Sequence, residues 1–244
     1  MSTVAERQQK GWELFARYAF PPNELGYCGP ADASVLLRGG GHDEISGHAR
    51  GFDGAWPYLL EIAAAAGVSD PLDTEVVRSY WIGGGLLGAV DGEALTTRLR
   101  TSLATQPTGV LDTVDGARAL AHHSFQVFAV YPWIRFLDTD AGTPLRILQA
   151  CRIRWGRVDA VHDEHVDITS RPLRFDGGLL SLGAAAPEAV RWRRGATSLA
   201  PAPAPGDVVA AHWDWICGTL DDDEVAALTA ATASTLDLVN GTRR

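Results

Sequence analysis

The chain has 244 residues, enough for one large domain or two modest ones, each with its own core. Hydrophobic residues make up 46% of it, and the formal net charge of -9 comes from acidic residues spread through both halves. That balance argues against nucleic acid or an anionic membrane surface as the main partner. No apolar run approaches the length that spans a bilayer, and the N-terminal segment has no apolar stretch like that of a secretory signal. Three scattered cysteines, Cys28, Cys151 and Cys217, do not make a disulfide framework, so the expectation is a cytoplasmic protein with reduced thiols. Lysine occurs only at Lys10 while arginine is abundant, which points to a high-GC bacterial genome.

The first half reads as mainly helical. Glu6–Phe20 places Trp12, Phe15, Tyr18 and Ala19 on one face, and Pro21-Pro22 is expected to stop that helix. A turn-rich loop follows over Asn23–Pro30, then a short helix over Ala31–Leu37 that ends at Gly39-Gly40-Gly41. Further helices are expected over Trp56–Ala66, with Pro57 at its start, Asp73–Ile82 and Gly92–Ala104. Phe125–Leu137, broken by Pro132, is a helix or a buried connector.

From Leu145 the period changes. Leu145–Val161 alternates Ile147, Cys151, Ile153 and Trp155 against arginines, which predicts a half-buried strand bent at Gly156. Short strands are expected at His165–Thr169, Pro172–Phe175, Leu179–Leu182 and Glu188–Trp192, with a hairpin turn at Asp176-Gly177-Gly178. Ala200–Pro205 is an extended linker, and Gly206–Cys217 reads as one long strand. Asp221 and Glu224 form a capping box for a terminal helix. Its stripe is Val225, Leu228, Thr232, Leu236 and Val239, and Gly241 ends it. The fold class is therefore α+β: a mainly helical part over 1–144, then a small OB-like β-barrel with a C-terminal helix over 145–244.

Candidate chemistry is sparse. Cys28 sits in Gly26-Tyr-Cys-Gly-Pro30, a loop that suits either a reactive thiol served by His42, His48, His122 or His123, or a tight turn around a buried one. Adjacent helical histidines point about 100° apart and cannot chelate from one face, so His122-His123 reads as an exposed helix end. His42, Asp43, Glu44 and His48 form a denser cluster in what reads as a loop. Trp213 and Trp215 flank Asp214 and are expected to pack the terminal helix. Gly83-Gly-Gly85 has no Lys-Ser/Thr after it and is no phosphate loop. Cys151 and His212 offer a thiolate and an imidazole, a pair suited to iron or zinc but too small for a closed structural site. Each also reads as a packed barrel residue.

The segments Cys151-Arg-Ile-Arg-Trp-Gly156-Arg-Val158 and Gly206-Asp207-Val208-Val209-Ala-Ala-His212, followed by Leu220-Asp-Asp-Asp-Glu224, carry a resemblance. In order and approximate spacing, residues 145–240 resemble the HypC/HupF hydrogenase assembly chaperones, with an insertion between Arg171 and Pro205. The whole chain also looks like an uncharacterised actinobacterial family. The resemblance implies a non-enzymatic assembly factor for nickel-iron hydrogenase. It implies as partners the hydrogenase maturation proteins or the large-subunit precursor; the charge balance and the lack of a spanning segment leave neither nucleic acid nor membrane expected. It further implies that Cys151 and His212 contact a partner or a transiently held iron carrying cyanide and carbon monoxide, with no tightly bound cofactor. In that family the cysteine is N-terminal, whereas Cys151 is internal. A shared ligand asks that the two side chains meet within about 6 Å across the barrel, with at least one open to solvent. The alternatives are a small cysteine-dependent enzyme using Cys28 and a purely structural interaction protein.

Overall fold

The structure, a computed structural model, describes residues 10–39 and 41–243. Its helical part opens with α1 (Gly11–Glu24), which buries Leu14, Phe15, Tyr18, Ala19 and Phe20. The first residues of the helix expected from Glu6 lie outside the described residues. Pro21 and Pro22 do not stop α1; both lie in its last turn. A proline there removes a donor rather than the helix. Pro22 lacks the N–H that would reach the carbonyl four residues back, and the Tyr18 carbonyl is left to accept from His212 instead.

The helices α2 (His42–Ala49), α3 (Trp56–Ala66), α4 (Thr74–Trp81) and α5 (Gly92–Ser102) follow. The segment His42–Ala49, expected as loop, is thus helical, with Ile45 and Ala49 on its buried side. Asp73 caps α4 through the Glu75 N–H, and Asp91 caps α5 through Glu93 and Ala94. The apolar connector begins as the short α6 (His123–Phe125), widens into a π-turn over Gln126–Val130 and tightens into a 3-10 turn over Pro132–Phe136. All of Gln126–Val130 is buried.

The expected strand Leu145–Val161 is two elements: helix α7 (Gly142–Cys151) and strand β1 (Arg154–Val161). Pro144, Ile147, Leu148 and Cys151 are the buried residues of α7, and they repeat at i, i+3, i+4 and i+7. The same letters satisfy both periods over this short stretch, and packing of the helical face decides. The barrel therefore starts at Arg154 rather than near Leu145.

Strands β2 (His165–Ser170), β3 (Leu173–Asp176), β4 (Leu179–Leu182), β5 (Ala186–Arg191), β6 (Arg193–Arg194), β7 (Thr197–Ser198), β8 (Val208–His212) and β9 (Trp215–Thr219) complete the sheet structure. A closed barrel has the order β1-β2-β5-β9-β8; β3-β4 and β6-β7 are separate hairpins. The β1–β2, β2–β5, β1–β8 and β8–β9 pairs are antiparallel, and β5 meets β9 in parallel through Arg191 and Trp215. Gly177 and Gly178 turn the β3–β4 hairpin with φ of 56° and 81°, the left-handed geometry that glycine supplies at little cost. The single long strand expected over Gly206–Cys217 is instead the β8–β9 hairpin. Trp213, at φ 51°, and Asp214 form its turn.

Alternation along the barrel separates two cores. Val158, Val166, Ile168, Val190, Val209, Ala211 and Ile216 fill its interior. Ala210, Trp215 and Cys217 belong instead to a larger core that runs without a break from α1 to the terminal helix α8 (Asp222–Gly241). The Asp221–Glu224 capping box is present, and Leu228, Leu236 and Val239 are buried as the stripe requires. α8 packs against α6, the π-turn after it and β4. Trp215 packs edge-on against Phe20 of α1, and Trp213 lies against Tyr27.

Candidate metal centre

Three elements from distant parts of the sequence end at one point in the seam between the barrel wall and the helices. His123 opens α6, Cys151 closes α7 and His212 closes β8. One ligand atom from each lies within 4.8 Å of the others. Cys151 and His212 thus converge, but outside the barrel rather than across it: Cys151 ends helix α7, and Ala211, next to His212, takes the inward position. Convergence meets one condition of a shared ligand; solvent access is not met. Cys151 is 4% exposed, His123 5% and His212 0%.

His212 is held by a carbonyl. Its Nδ1–H donates to Tyr18 O at 2.7 Å, which fixes the tautomer and leaves a lone pair on Nε2. That Nε2 is buried and has no hydrogen-bond partner. Burial holds the imidazole well below its ordinary pKa, and His123 adds to the effect. The Tyr18 and Cys151 carbonyls pull the other way.

His123 makes two contacts. Nε2 lies 2.9 Å from the Cys151 carbonyl oxygen and Nδ1 lies 3.1 Å from the Tyr80 hydroxyl, which itself donates to the Gly54 carbonyl. Burial lowers its pKa to about 4, against the opposing pull of the Cys151 carbonyl. The rings of His123 and His212 meet edge-on at 5.1 Å, and Trp81 lies 4.6 Å and 5.7 Å from the two. Tyr18 stacks on the far side of Trp81 at 5.5 Å.

Burial raises the Cys151 thiol far above its ordinary range, and the nearby Cys28 adds to that. Cys28 is half-buried, and burial raises its thiol too. A hydrogen bond with the Tyr131 side chain and contacts with the Gly54 and Gly29 backbones partly offset the shift. His48 bonds Asn23, whose amide donates to the Cys28 and Pro30 carbonyls.

The other sequence candidates fall elsewhere. His42 contacts Asp43 and Asp70 on the surface. His123, Cys151 and His212 are the one group with metal-ligand geometry among the described residues. His122 and His123, expected as an exposed helix end, are both buried. The His122 Nδ1 accepts from the Ser124 N–H as the cap of α6, while His123 turns to the opposite side and into the seam. Sequence reasoning set His123 aside as part of an exposed helix end and missed Tyr80. The one available signal is the largely apolar run Phe125–Val130, one residue beyond the histidine pair, which marks it as interior.

The β8–β9 turn follows His212 directly and is tied to the residue before Cys151. The Trp213 N–H donates to Ala150 O at 2.8 Å, and buried Arg154 donates to Trp213 O at 2.6 Å and pairs with Glu188. Leu25, Tyr27, Arg146, Ile147, Ala150, Trp213 and Asp214 line a surface groove of about 400 Å³ beside it. Tyr27 lies 4.3 Å from Trp213, ring to ring.

A family model, described as a family of unknown function, DUF6390, matches residues 7–244. The chain belongs to DUF6390. All three cluster residues fall inside that match. No curated protein and no solved structure matches this DUF6390 chain. No helix among its described residues is long and apolar enough to cross a membrane.

Proposed function

We propose that this chain is a non-enzymatic accessory factor in nickel-iron hydrogenase maturation, with an OB-like barrel that docks a maturation protein or the large-subunit precursor. The observation that carries the reading is the convergence of Cys151 and His212, 61 positions apart in the chain, at one point. These are the two residues that the resemblance to the assembly chaperones singles out. A closed five-stranded barrel followed by a helix supports the same reading. The burial of both side chains favours docking over capture of iron from solvent. Contact with an iron-cyanide-carbonyl fragment would require a partner to open the seam, since all three cluster residues are buried.

The surroundings of Cys28 do not support a cysteine-dependent enzyme. A nucleophilic cysteine acts as thiolate, stabilised by a neighbouring cation or base. Here burial raises the thiol pKa, and His48 bonds Asn23 rather than the thiol.

The test is co-purification of the tagged full chain from a high-GC bacterium that makes a nickel-iron hydrogenase. The expected result is stoichiometric recovery of a maturation protein or the unprocessed large subunit. Deletion of the gene should leave the large subunit unprocessed. Normal processing in the deletion strain, together with no hydrogenase component on the tagged chain, overturns the reading.

A further inference from the structure

We propose that His123, Cys151 and His212 form a resident site for one divalent first-row transition ion of the zinc class, bound through the two Nε2 atoms and Sγ. The site shares Cys151 and His212 with the assembly-factor reading but does not depend on it. One concerns what the seam holds; the other concerns what the barrel docks.

Three observations carry the proposal. The first is the donor set. Two imidazoles and a thiol, with no carboxylate, suit zinc and its neighbours and not calcium or magnesium. The second is the unpartnered His212 Nε2. A buried acceptor with no donor loses its hydration without replacement. The His212 Nδ1–H is anchored on the Tyr18 carbonyl, the arrangement by which metal-ligating histidines are oriented.

The third is a shortage of protons at His123. Three close contacts lie in a row: Tyr80 to Gly54 O, Tyr80 to His123 Nδ1, and His123 Nε2 to Cys151 O. Each needs one proton between its two atoms, and the Tyr80 hydroxyl and a neutral imidazole supply two. An imidazolium would supply the third, but no carboxylate belongs to the buried cluster to pair with that charge. An ion on Nε2 resolves the count. Nδ1–H then donates to Tyr80, Tyr80 donates to Gly54 O, and the Nε2 lone pair faces a cation instead of a carbonyl oxygen. The Cys151 carbonyl, 2.9 Å from that nitrogen, is placed to serve as a fourth donor.

The fit asks for a small contraction. Bonds of about 2.0–2.3 Å to a tetrahedral ion put neighbouring donors roughly 3.3–3.8 Å apart. The present donors lie within 4.8 Å, so ring and thiol rotations of about 1 Å close the shell. On binding, the Cys151 S–H bond breaks, its proton leaves to solvent and an S–metal bond forms. The histidines, already neutral, release none.

Because the site is sealed, the full chain is unfolded in urea under reducing conditions and refolded with one equivalent of cobalt(II), or separately of zinc(II), then desalted. The expected result is about one ion retained per chain. The cobalt form should show a thiolate-to-metal charge-transfer band and the intense visible bands of four-coordinate cobalt. Cys151→Ser should abolish the charge-transfer band, while Cys28→Ser leaves it. His123→Gln and His212→Gln should each weaken retention at least tenfold, scored only where circular dichroism shows the native fold. Wild-type chain that refolds and retains less than about a tenth of an equivalent, or a cobalt spectrum without a Cys151-dependent thiolate band, overturns the site. Neither result bears on co-purification with hydrogenase components, so the two proposals fail separately.

Discussion

Asn240, near the end of α8, behaves as a one-residue strand. The Leu180 N–H donates to its Oδ1 at 2.9 Å, and its Nδ2 donates back to the Leu180 carbonyl at 2.9 Å. Leu180 is 2% exposed, so water does not reach these backbone groups. Replacing Asn240 with Ala removes both partners and leaves one buried donor and one buried acceptor unpaired. At about 1–3 kcal/mol for each of the two abandoned groups, the loss is roughly 2–6 kcal/mol. Asn240→Asp keeps the acceptor but replaces the donor with a buried carboxylate, and is expected to cost at least as much. The assay is urea unfolding followed by tryptophan fluorescence, with the slope m checked for constancy between variants. A loss below about 1 kcal/mol for Asn240→Ala at unchanged m would refute the reasoning. It would mean that the β3–β4 hairpin and α8 are not held together by this pair.

Two further predictions concern the buried titratable groups. In metal-free chain, burial holds His122 near pKa 3 and His123 near pKa 4, while the unfolded chain takes up these protons near the ordinary 6.5. The unfolded state therefore binds more protons below pH 6.5. Stability should fall as pH drops from 6.5 toward 4, by about 2 kcal/mol per histidine at pH 5. His212 acts in the same direction. A urea midpoint that does not move between pH 7 and pH 5 would contradict the burial of these rings. Thiol labelling of native protein should modify half-buried Cys28 first. Cys151 and Cys217 should react only on unfolding, because both are buried and burial raises their pKa. Mass spectrometry of the modified peptides checks the order, and equal rates at Cys28 and Cys151 would show that the seam is open in solution.

Much of the fold could be read from local pattern. The Asp221–Glu224 capping box, the Leu228–Leu236 stripe and the Gly177-Gly178 turn each depend on a few consecutive residues, and each stands where the sequence puts it. Errors arose where one string satisfied two periods or where long-range packing outweighed a local rule. Leu145–Cys151 alternates like a strand, yet its buried residues fit a helix, and the seam accepts the helix. The prolines of α1 break a local hydrogen-bond pattern without ending the helix, since the Tyr18 carbonyl finds His212 far along the chain.

The sequence by itself determined the α+β class, the switch from helices to short strands and the pairing of interest between Cys151 and His212. Each rests on local periodicity or on the order of short segments. Only the tertiary structure decided that His123 joins them. A histidine at the start of a three-residue helix carries no local mark of its partners. Its direction is set by Ser124, which draws His122 into the cap, and by Tyr80 and the Cys151 carbonyl, which receive the ring of His123. Those contacts span 28 and 43 positions of sequence, and they exist only once α4, α6 and α7 have packed into one core.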